Sequence, residues 1–279
     1  MIIENEKHSS RCAFIVVTYN SKNDIYDCIY SIKKFHPESG IFVIDNNSSD
    51  GTAEILHEIQ DINLTILPVN SGFSGGNNLA IKKAIDHGFD FFFLFNPDAR
   101  LTQKILHRLL NLAIEQKALV GPVIRHFNSG DIQSIGGTYN KIFSSFYLTK
   151  DKKIYKSNSI EVNWILGAAL LISKEIILNC GYLDENFFPA TFEDASYCIE
   201  AKKKGFKSFI DLQTNILHKG ATSSGGDRKY LLRIIKNKYY YALTYQNNLF
   251  FITTILENTL RYLYHKYFGI LKQKNSSSN

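Results

Sequence analysis

The sequence predicts an α/β fold with a mainly parallel central sheet flanked by helices and a helical extension at the C-terminus. Three observations predict it. Strand-like and helix-like periods alternate through the first half of the 279 residues, and such alternation means a parallel sheet covered on both faces. The apolar runs are short and β-branched or aromatic, as buried strands require. Several of those runs end in polar clusters, where ligands of parallel sheets bind, beyond the strands' carboxyl ends.

The elements follow in order. Ala13–Thr18 (AFIVVT) reads as a strand, and a helical pattern runs from Ser21, a plausible N-cap residue type, to about Phe35. Ile41–Asp45 (IFVID) is a second strand, and Asp50-Gly51-Thr52 opens a helix ending near Gln60. Leu64–Val69 is a third strand, and Gly75–His87 a helix stopped by Gly88. Asp90–Phe95 is a fourth strand and Thr102–Gln116 a fourth helix. From Asp131 to about Ile160 the chain is rich in Gly, Ser, Thr and Tyr and reads as hairpins or a mobile excursion. Trp164–Ser173 returns to a buried strand, Glu193–Lys204 is a helix ended by Gly205, and Phe206–Asp211 a short strand. Two aromatic, Lys-rich helices follow from Lys229 to about Tyr267, and Lys274–Asn279 reads as a disordered tail.

Composition narrows the function classes. With 44% hydrophobic residues and 5 prolines, the chain is neither disordered nor fibrous. Its longest apolar runs fall short of the roughly 18–20 residues of a membrane span, and Glu4, Asn5, Glu6 and Lys7 interrupt any signal-peptide pattern. The four cysteines form no C-x-x-C pair and read as reduced thiols of a cytoplasmic protein. The net charge of +6 is unevenly spread: residues 228–279 carry +8 and residues 1–227 carry −2. That asymmetry separates a near-neutral body from a cationic extension. With no recognisable nucleic-acid module, nucleic acid is not the expected partner.

Four clusters are candidates for chemistry. Thr18-Tyr19-Asn20 and Asp45-Asn46-Asn47 lie at strand ends. A carboxylate such as Asp45 there accepts a base N–H or a ribose hydroxyl, whereas Asp50-Gly51 is explained by turn formation alone. Asn70–Asn78 holds three glycines before a helix, which suits either close approach to a phosphate or tight packing. Phe91–Phe95 empties into Asn96-Pro97-Asp98, which sets a carboxylate at the sheet edge as Mg²⁺ or Mn²⁺ requires; its alternative is a helix cap with slightly wrong spacing. Glu193-Asp194, beside Phe187, Phe188 and Phe192, gives two acids at a helix start. The helix dipole explains one of them, and partial burial suits the other to general-base work. His218 follows an apolar segment and alone reads as structural.

Taken together, VVTYN (16–20), VIDNNSSDGT (43–52), NSGFSGGNN (70–78), FNPDARL (95–101), GAALLISKE (167–175), GYLDENFFPATFEDASYC (181–198) and LHKG (217–220) resemble a family 2 glycosyltransferase of GT-A fold. The resemblance is to the rhamnosyltransferase-like branch of bacterial polysaccharide assembly, such as O-antigen or capsule, and covers about residues 13–225. It implies inverting transfer of rhamnose or a similar hexose from a dTDP- or UDP-linked donor to a glycan or lipid-linked glycan. By position, Thr18, Tyr19, Asn20, Asp45, Asn77 and Asn96 would serve the donor nucleotide. Asp98 and His218 would serve a divalent cation, Mg²⁺ or Mn²⁺. Asp194 would be the base with Glu193 beside it, and Trp164 and Gly167 would border the acceptor. Two departures stand: the Asp-x-Asp metal motif is Asn96-Pro97-Asp98, one carboxylate fewer, and Glu200 stands where the branch often has Arg. The implied domains are 1–225, with a nucleotide-binding half to about 125 and an acceptor-binding half from 126, and a basic extension 226–279. The extension either lies on the inner face of the membrane as a peripheral anchor, or packs on the body or on a second subunit of a homodimer. Two rivals are a nucleotidyltransferase, which would carry a Gly-rich basic loop after the first strand, and a non-catalytic nucleotide-sugar or glycan binder.

Overall fold

The computed structural model of the chain describes residues 11–142, 145–150, 157–220, 228–245 and 259. The expected tail 274–279, and most of the second expected helix of the extension, lie outside the described residues.

Two compact units result: residues 1–138 with 147–225, and residues 139–146 with 226–279. The first unit holds a sheet built from β1 (Cys12–Thr18), β2 (Gly40–Asp45), β3 (Asn63–Ile66), β4 (Phe91–Phe95), β6 (Leu119–His126), β10 (Ser159–Val162), β11 (Ala169–Ser173) and β12 (Ser208–His218). Its order is β10-β12-β6-β11-β4-β1-β2-β3, with β5 (Ala99–Leu101) paired to β12 and β7 (Ile132–Ser134) to β6. β1 to β4 run parallel, as expected. β11 is antiparallel to β4 and β6, while β12 and β6 run parallel to each other. The carboxyl ends of β1, β2, β4, β6 and β12 therefore share one edge with the amino end of β11.

The parallel half follows its sequence pattern because both sheet faces are covered. α1 (Ile25–Phe35) and α4 (Leu106–Gln116) pack on one face, burying Ile25, Ile29, Ile32, Leu106, Leu109 and Leu110 against Phe14, Val16, Ile41 and Val43. Phe14, Phe93 and Phe95 form an aromatic nucleus there, with ring centroids 5.3–5.7 Å apart. α2 (Thr52–Glu58) follows β2. α3 (Gly72–Asp86) covers the opposite face, where a Cβ on Gly76 would stand 2.6 Å from Val17. α5 (Lys174–Cys180) and α6 (Glu193–Lys203) complete the unit.

Several expectations are corrected. The first helix begins at Ile25, not Ser21: the Ser21 carbonyl accepts the amides of Asp24 and Ile25, and its own N–H is held by Thr52 Oγ1 at 2.9 Å. The helix expected from Thr102 starts at Leu106: the short strand β5 ends at Leu101, and residues 102–105 form the irregular link between them. The helix expected from Gly75 starts at Gly72. Trp164–Ser173 is strand only from Ala169, and β12 extends to His218 rather than Asp211. β6 and α5 were not expected. β6 contains Gly121 and Pro122, which read as breakers. Pro122 pairs with Asp211, next to the register shift between Asp211 and Asn215, the kind of irregular position where a strand accommodates proline.

In the second unit, β8 (Gly137–Asn140) and β9 (Ser145–Leu148) contribute Tyr139 and Phe146, stacked at 4.8 Å. Tyr241 of α7 (Arg228–Tyr245) meets both rings edge-on, at 5.9 and 5.2 Å, and is buried.

Candidate functional site

The sheet's shared edge carries every strand-end residue singled out above. Thr18 and Asp45 are register partners at the ends of β1 and β2, and both are buried. Asp45 holds Ser48 by both oxygens: Oδ2 accepts the Ser48 N–H at 3.0 Å and Oδ1 its hydroxyl at 2.5 Å. Asn20, in the left-handed region at φ 51°, gives its N–H to Ser48 Oγ at 2.9 Å and accepts the Ser49 N–H at 2.9 Å. The two strand ends are thereby laced into one rim. Tyr19 is exposed on it, and Thr18 Oγ1 is buried without a hydrogen-bond partner among the described residues. Asp50 accepts the N–H groups of Lys22 and Thr52 and the Thr52 hydroxyl, the turn role expected of it.

The glycine-rich segment meets this rim from the α3 side. Asn77 is buried, and its amide donates to the Phe73 carbonyl one turn back at 2.8 Å. Asn46, named in the strand-end cluster but given no role there, is the tie: its Nδ2 donates to the Gly72 carbonyl at 3.0 Å, and its Oδ1 accepts the Ser71 N–H and hydroxyl. Strand alternation was the available signal, since Asn46 must point away from Asp45 toward the face that α3 covers. Gly72 packs so closely on Phe188 and Pro189 that a Cβ would lie 2.9 Å from each. Asn78, part of the glycine-rich cluster but given no role of its own there, bonds the Leu183 N–H and C=O at 3.0 and 2.8 Å and Glu185 Oε1 at 2.9 Å.

At the end of β4, Asp98 is buried and is not a helix cap. His218 Nε2 lies 3.2 Å from Asp98 Oδ1 and 3.3 Å from Asn96 Nδ2, while the Gly220 N–H donates to Asp98 Oδ2 at 3.1 Å. Burial opposes ionisation of Asp98, but the hydrogen bond and charge of His218 and the Gly220 N–H outweigh it and hold the carboxyl below its usual range. β5 brings the two together, because Ala99 pairs with His218 across the sheet. Behind them Asp24 receives Lys219 Nζ at 2.5 Å and Arg100 at 3.4 Å. Among the described residues no group of three or more His, Cys, Asp or Glu could hold a metal ion. The pair suits a hard cation completed by phosphate oxygens, since Mg²⁺ takes one or two protein carboxylates plus substrate phosphates.

Asp194 sits in the first turn of α6, buried, with Gly167 N–H on Oδ2 at 2.6 Å and its neighbour Ala195 N–H on Oδ1 at 2.7 Å. Burial raises its pKa above the usual aspartate value, against the pull of those two N–H groups. Gly167 leaves room for it: a Cβ there would stand 3.2 Å from the Asp194 Cβ and 3.1 Å from the Phe73 ring. Glu193 is buried beside it. Thr191 and Phe192 precede the pair with φ of 91° and 79°, a conformation costing of order 1–3 kcal/mol for each such residue. That strain sets the direction in which the chain delivers both acids. Trp164 is buried, its indole N–H donating to the Thr138 carbonyl at 3.1 Å.

The two acidic ends meet at adjacent residues. The Asn96 N–H donates to the Ala168 carbonyl at 3.1 Å, and the preceding residue, Gly167, holds Asp194. One two-residue bridge at the start of β11 thus joins the segment bearing Asp98 to the carboxylate of Asp194.

The profile of the glycosyl transferase family 2 matches residues 13–170. The low-salt glycan biosynthesis hexosyltransferase Agl10 of Haloferax volcanii is 24% identical over 196 residues, 69% of this chain and 62% of that protein. The dTDP-rhamnosyl transferase RfbF of Shigella flexneri is 21% identical over 207 residues, 73% of this chain and 67% of its own. This chain thus spans less than two thirds of the first relative's length. Among solved structures, GalNAc-T7 with UDP, GalNAc and Mn²⁺ superposes with a TM-score of 0.64 at 14% identity, covering 83% of this chain and 49% of that one. S. aureus TarS 1–349 in complex with UDP-GlcNAc gives 0.58 at 17%, covering 85% and 68%. At such identities the likeness is one of fold, the GT-A fold.

Proposed function

The chain belongs to glycosyl transferase family 2, and from that premise we propose that it is an inverting glycosyltransferase. It moves a hexose, rhamnose or a similar sugar, from a dTDP- or UDP-linked donor to a hydroxyl of a glycan or lipid-linked glycan in surface polysaccharide assembly. The observation that supports this reading is the Gly167–Ala168 bridge, which hydrogen-bonds a buried carboxylate through one residue and the Asn96–Asp98 strand end through the next.

In-line displacement needs a base about one hydrogen bond from the acceptor hydroxyl, opposite the leaving diphosphate. Asp194 fills that role. Its two N–H partners fix its orientation, and burial strengthens it as a base. Glu193 sits beside it, Gly167 packs against the carboxylate through its N–H, and Trp164 braces the adjoining wall toward the acceptor. Thr18, Tyr19, Asn20 and Asp45 form the rim that receives the nucleotide, with Asn77 and Asn96 behind it. Asp98 and His218 would hold a divalent cation, which when bound neutralises charge developing on the leaving diphosphate.

The extension from 226 is read as a separate basic segment. α7 carries five Lys/Arg and no acid, and among the described residues no helix is long and apolar enough to cross a membrane. A peripheral position on the inner membrane face, beside a lipid-linked acceptor, fits that charge.

The test is a panel of dTDP-, UDP- and GDP-sugars, each with Mn²⁺ or EDTA, read by thermal unfolding and by slow donor hydrolysis. A productive donor stabilises the fold by mass action and is hydrolysed. Stabilisation without hydrolysis or transfer would leave a non-catalytic binder; response to none of the panel would overturn the donor site itself.

A further inference from the structure

One residue that neither motif nor resemblance singled out reaches the cation pair from the far side of β6. Gln133 lies in β7, and β7 pairs with β6 through a bulge: Ile124 opposes Ser134 and Arg125 opposes Ile132, so Gln133 is the extra residue. Bulges beside active sites re-aim a side chain. Here Gln133 Oε1 lies 2.8 Å from His218 Nδ1. The path is kept open by Gly220, because a Cβ there would collide with the Gln133 amide nitrogen. Gly220 also occupies the left-handed region at φ 61° and donates its N–H to Asp98. A side chain at 220 would disturb both partners of the pair at once.

The two nitrogens of an imidazole are not independent. When a carbonyl oxygen accepts the proton of Nδ1, the neutral ring presents an electron pair at Nε2. Nε2 lies 3.2 Å from Asp98 Oδ1 and 3.3 Å from Asn96 Nδ2, so the nitrogen that would ligate a cation faces the carboxylate that would share it. Histidines that ligate metals are oriented in this way by an acceptor on the second nitrogen. Resting on the cation reading proposed above, we infer that Gln133 is the positioning residue of this centre: its amide oxygen fixes the ring and tautomer of His218, so that Nε2 and Asp98 Oδ1 together present themselves to a divalent cation.

The test is the affinity of the full chain for UDP and for dTDP, by isothermal titration calorimetry, with Mn²⁺ and again with EDTA. The ratio of the two affinities isolates the cation's share. In wild type the ratio exceeds one, and Asp98→Asn abolishes the gain. Gln133→Leu is expected to cut the gain by about 10- to 100-fold, the usual cost of losing a partner of a metal-bound histidine. Gln133→Glu, which keeps an acceptor, retains it. In EDTA all the variants bind alike, which a general structural defect would not allow. A wild-type gain left unchanged by Gln133→Leu overturns this inference alone. Absence of any Asp98-dependent gain in wild type overturns the cation reading and takes this inference with it.

Discussion

The rim formed by β1 and β2 and the centre formed by β4, β11, α6 and β12 differ in how far along the chain their bonds reach. On the rim many bonds are local, Asp45 with Ser48, Asn77 with Phe73, Asp50 with Thr52, and the longer ones, Asn20 with Ser48 and Ser49 and Asn46 with Ser71 and Gly72, join neighbouring strand-end loops. At the centre the bonds close long loops, Asp98 with His218 and Gly220, Asp194 with Gly167, His218 with Gln133. Local bonds make a surface that exists before any ligand arrives, suited to the constant part of a donor, its nucleotide. Long-range bonds set the relative position of groups that must act together on the reacting atoms. The two regions should therefore fail differently, the rim in substrate affinity and the centre in turnover.

The sharpest break of that contrast is Asp194→Asn. General-base assistance contributes typically 10²–10⁴-fold, so kcat should fall by about that factor while donor KM stays near wild type. Steady-state kinetics decide it. A loss confined to KM would move Asp194 to the rim's side of the comparison.

The next effect is on stability. Asn78 joins α3 to the 183–185 segment that leads into Glu193-Asp194, and Asn78→Ala strands the buried Leu183 N–H and C=O. Leaving such groups unpaired costs about 1–3 kcal/mol each, so a loss of roughly 2–4 kcal/mol is expected in urea unfolding with an unchanged m-value. An insignificant shift would show that the centre does not depend on this tie. On the rim, Asp45→Asn exchanges one acceptor on Ser48 for a donor. Donor KM should rise about 10-fold, the scale of one charge-assisted hydrogen bond, with kcat within about twofold. A kcat defect instead would erase the distinction between the regions.

The same contrast explains what the sequence made legible. Several of the rim's partners lie two to four residues apart, so that part of the motif is nearly its structure, and strand-end clusters located it. Asp98 and Asp194 were visible as acids in unusual settings, but the bridge between them depends on β11 running antiparallel beside β4, which no local pattern encodes. β6 was hidden because Gly121 and Pro122 look like breakers until the β12 bulge at Asp211 is seen. α5 was hidden by its brevity, although Ser173 caps it, its Oγ accepting the Ile176 N–H at 3.3 Å. Gln133 was invisible for the deepest reason: its role comes from a bulge in register, a property of two strands and not of one.

The smallest expected effect is a dependence on pH that separates activity from stability at one residue. Asp194 must be ionised to act as a base, and burial raises its folded pKa above that of an ordinary aspartate. Hence kcat/KM should fall as pH drops through that raised value, its acid limb lying above the range of an exposed aspartate. Stability has the opposite sign. With the folded pKa raised, the native state binds this proton more tightly than the unfolded chain, so the group's contribution is most favourable below the unfolded pKa and is lost as pH rises through the folded one. Asp194→Asn removes that titration. Its hydrogen bonds also change, but an altered hydrogen bond shifts stability by a constant and leaves the slope alone. Thermal unfolding of both proteins across the acid range should show the wild type losing ground to the variant as pH rises. Parallel curves would mean that Asp194 titrates as it does in the unfolded chain, and its strength as a base would then need a source other than burial.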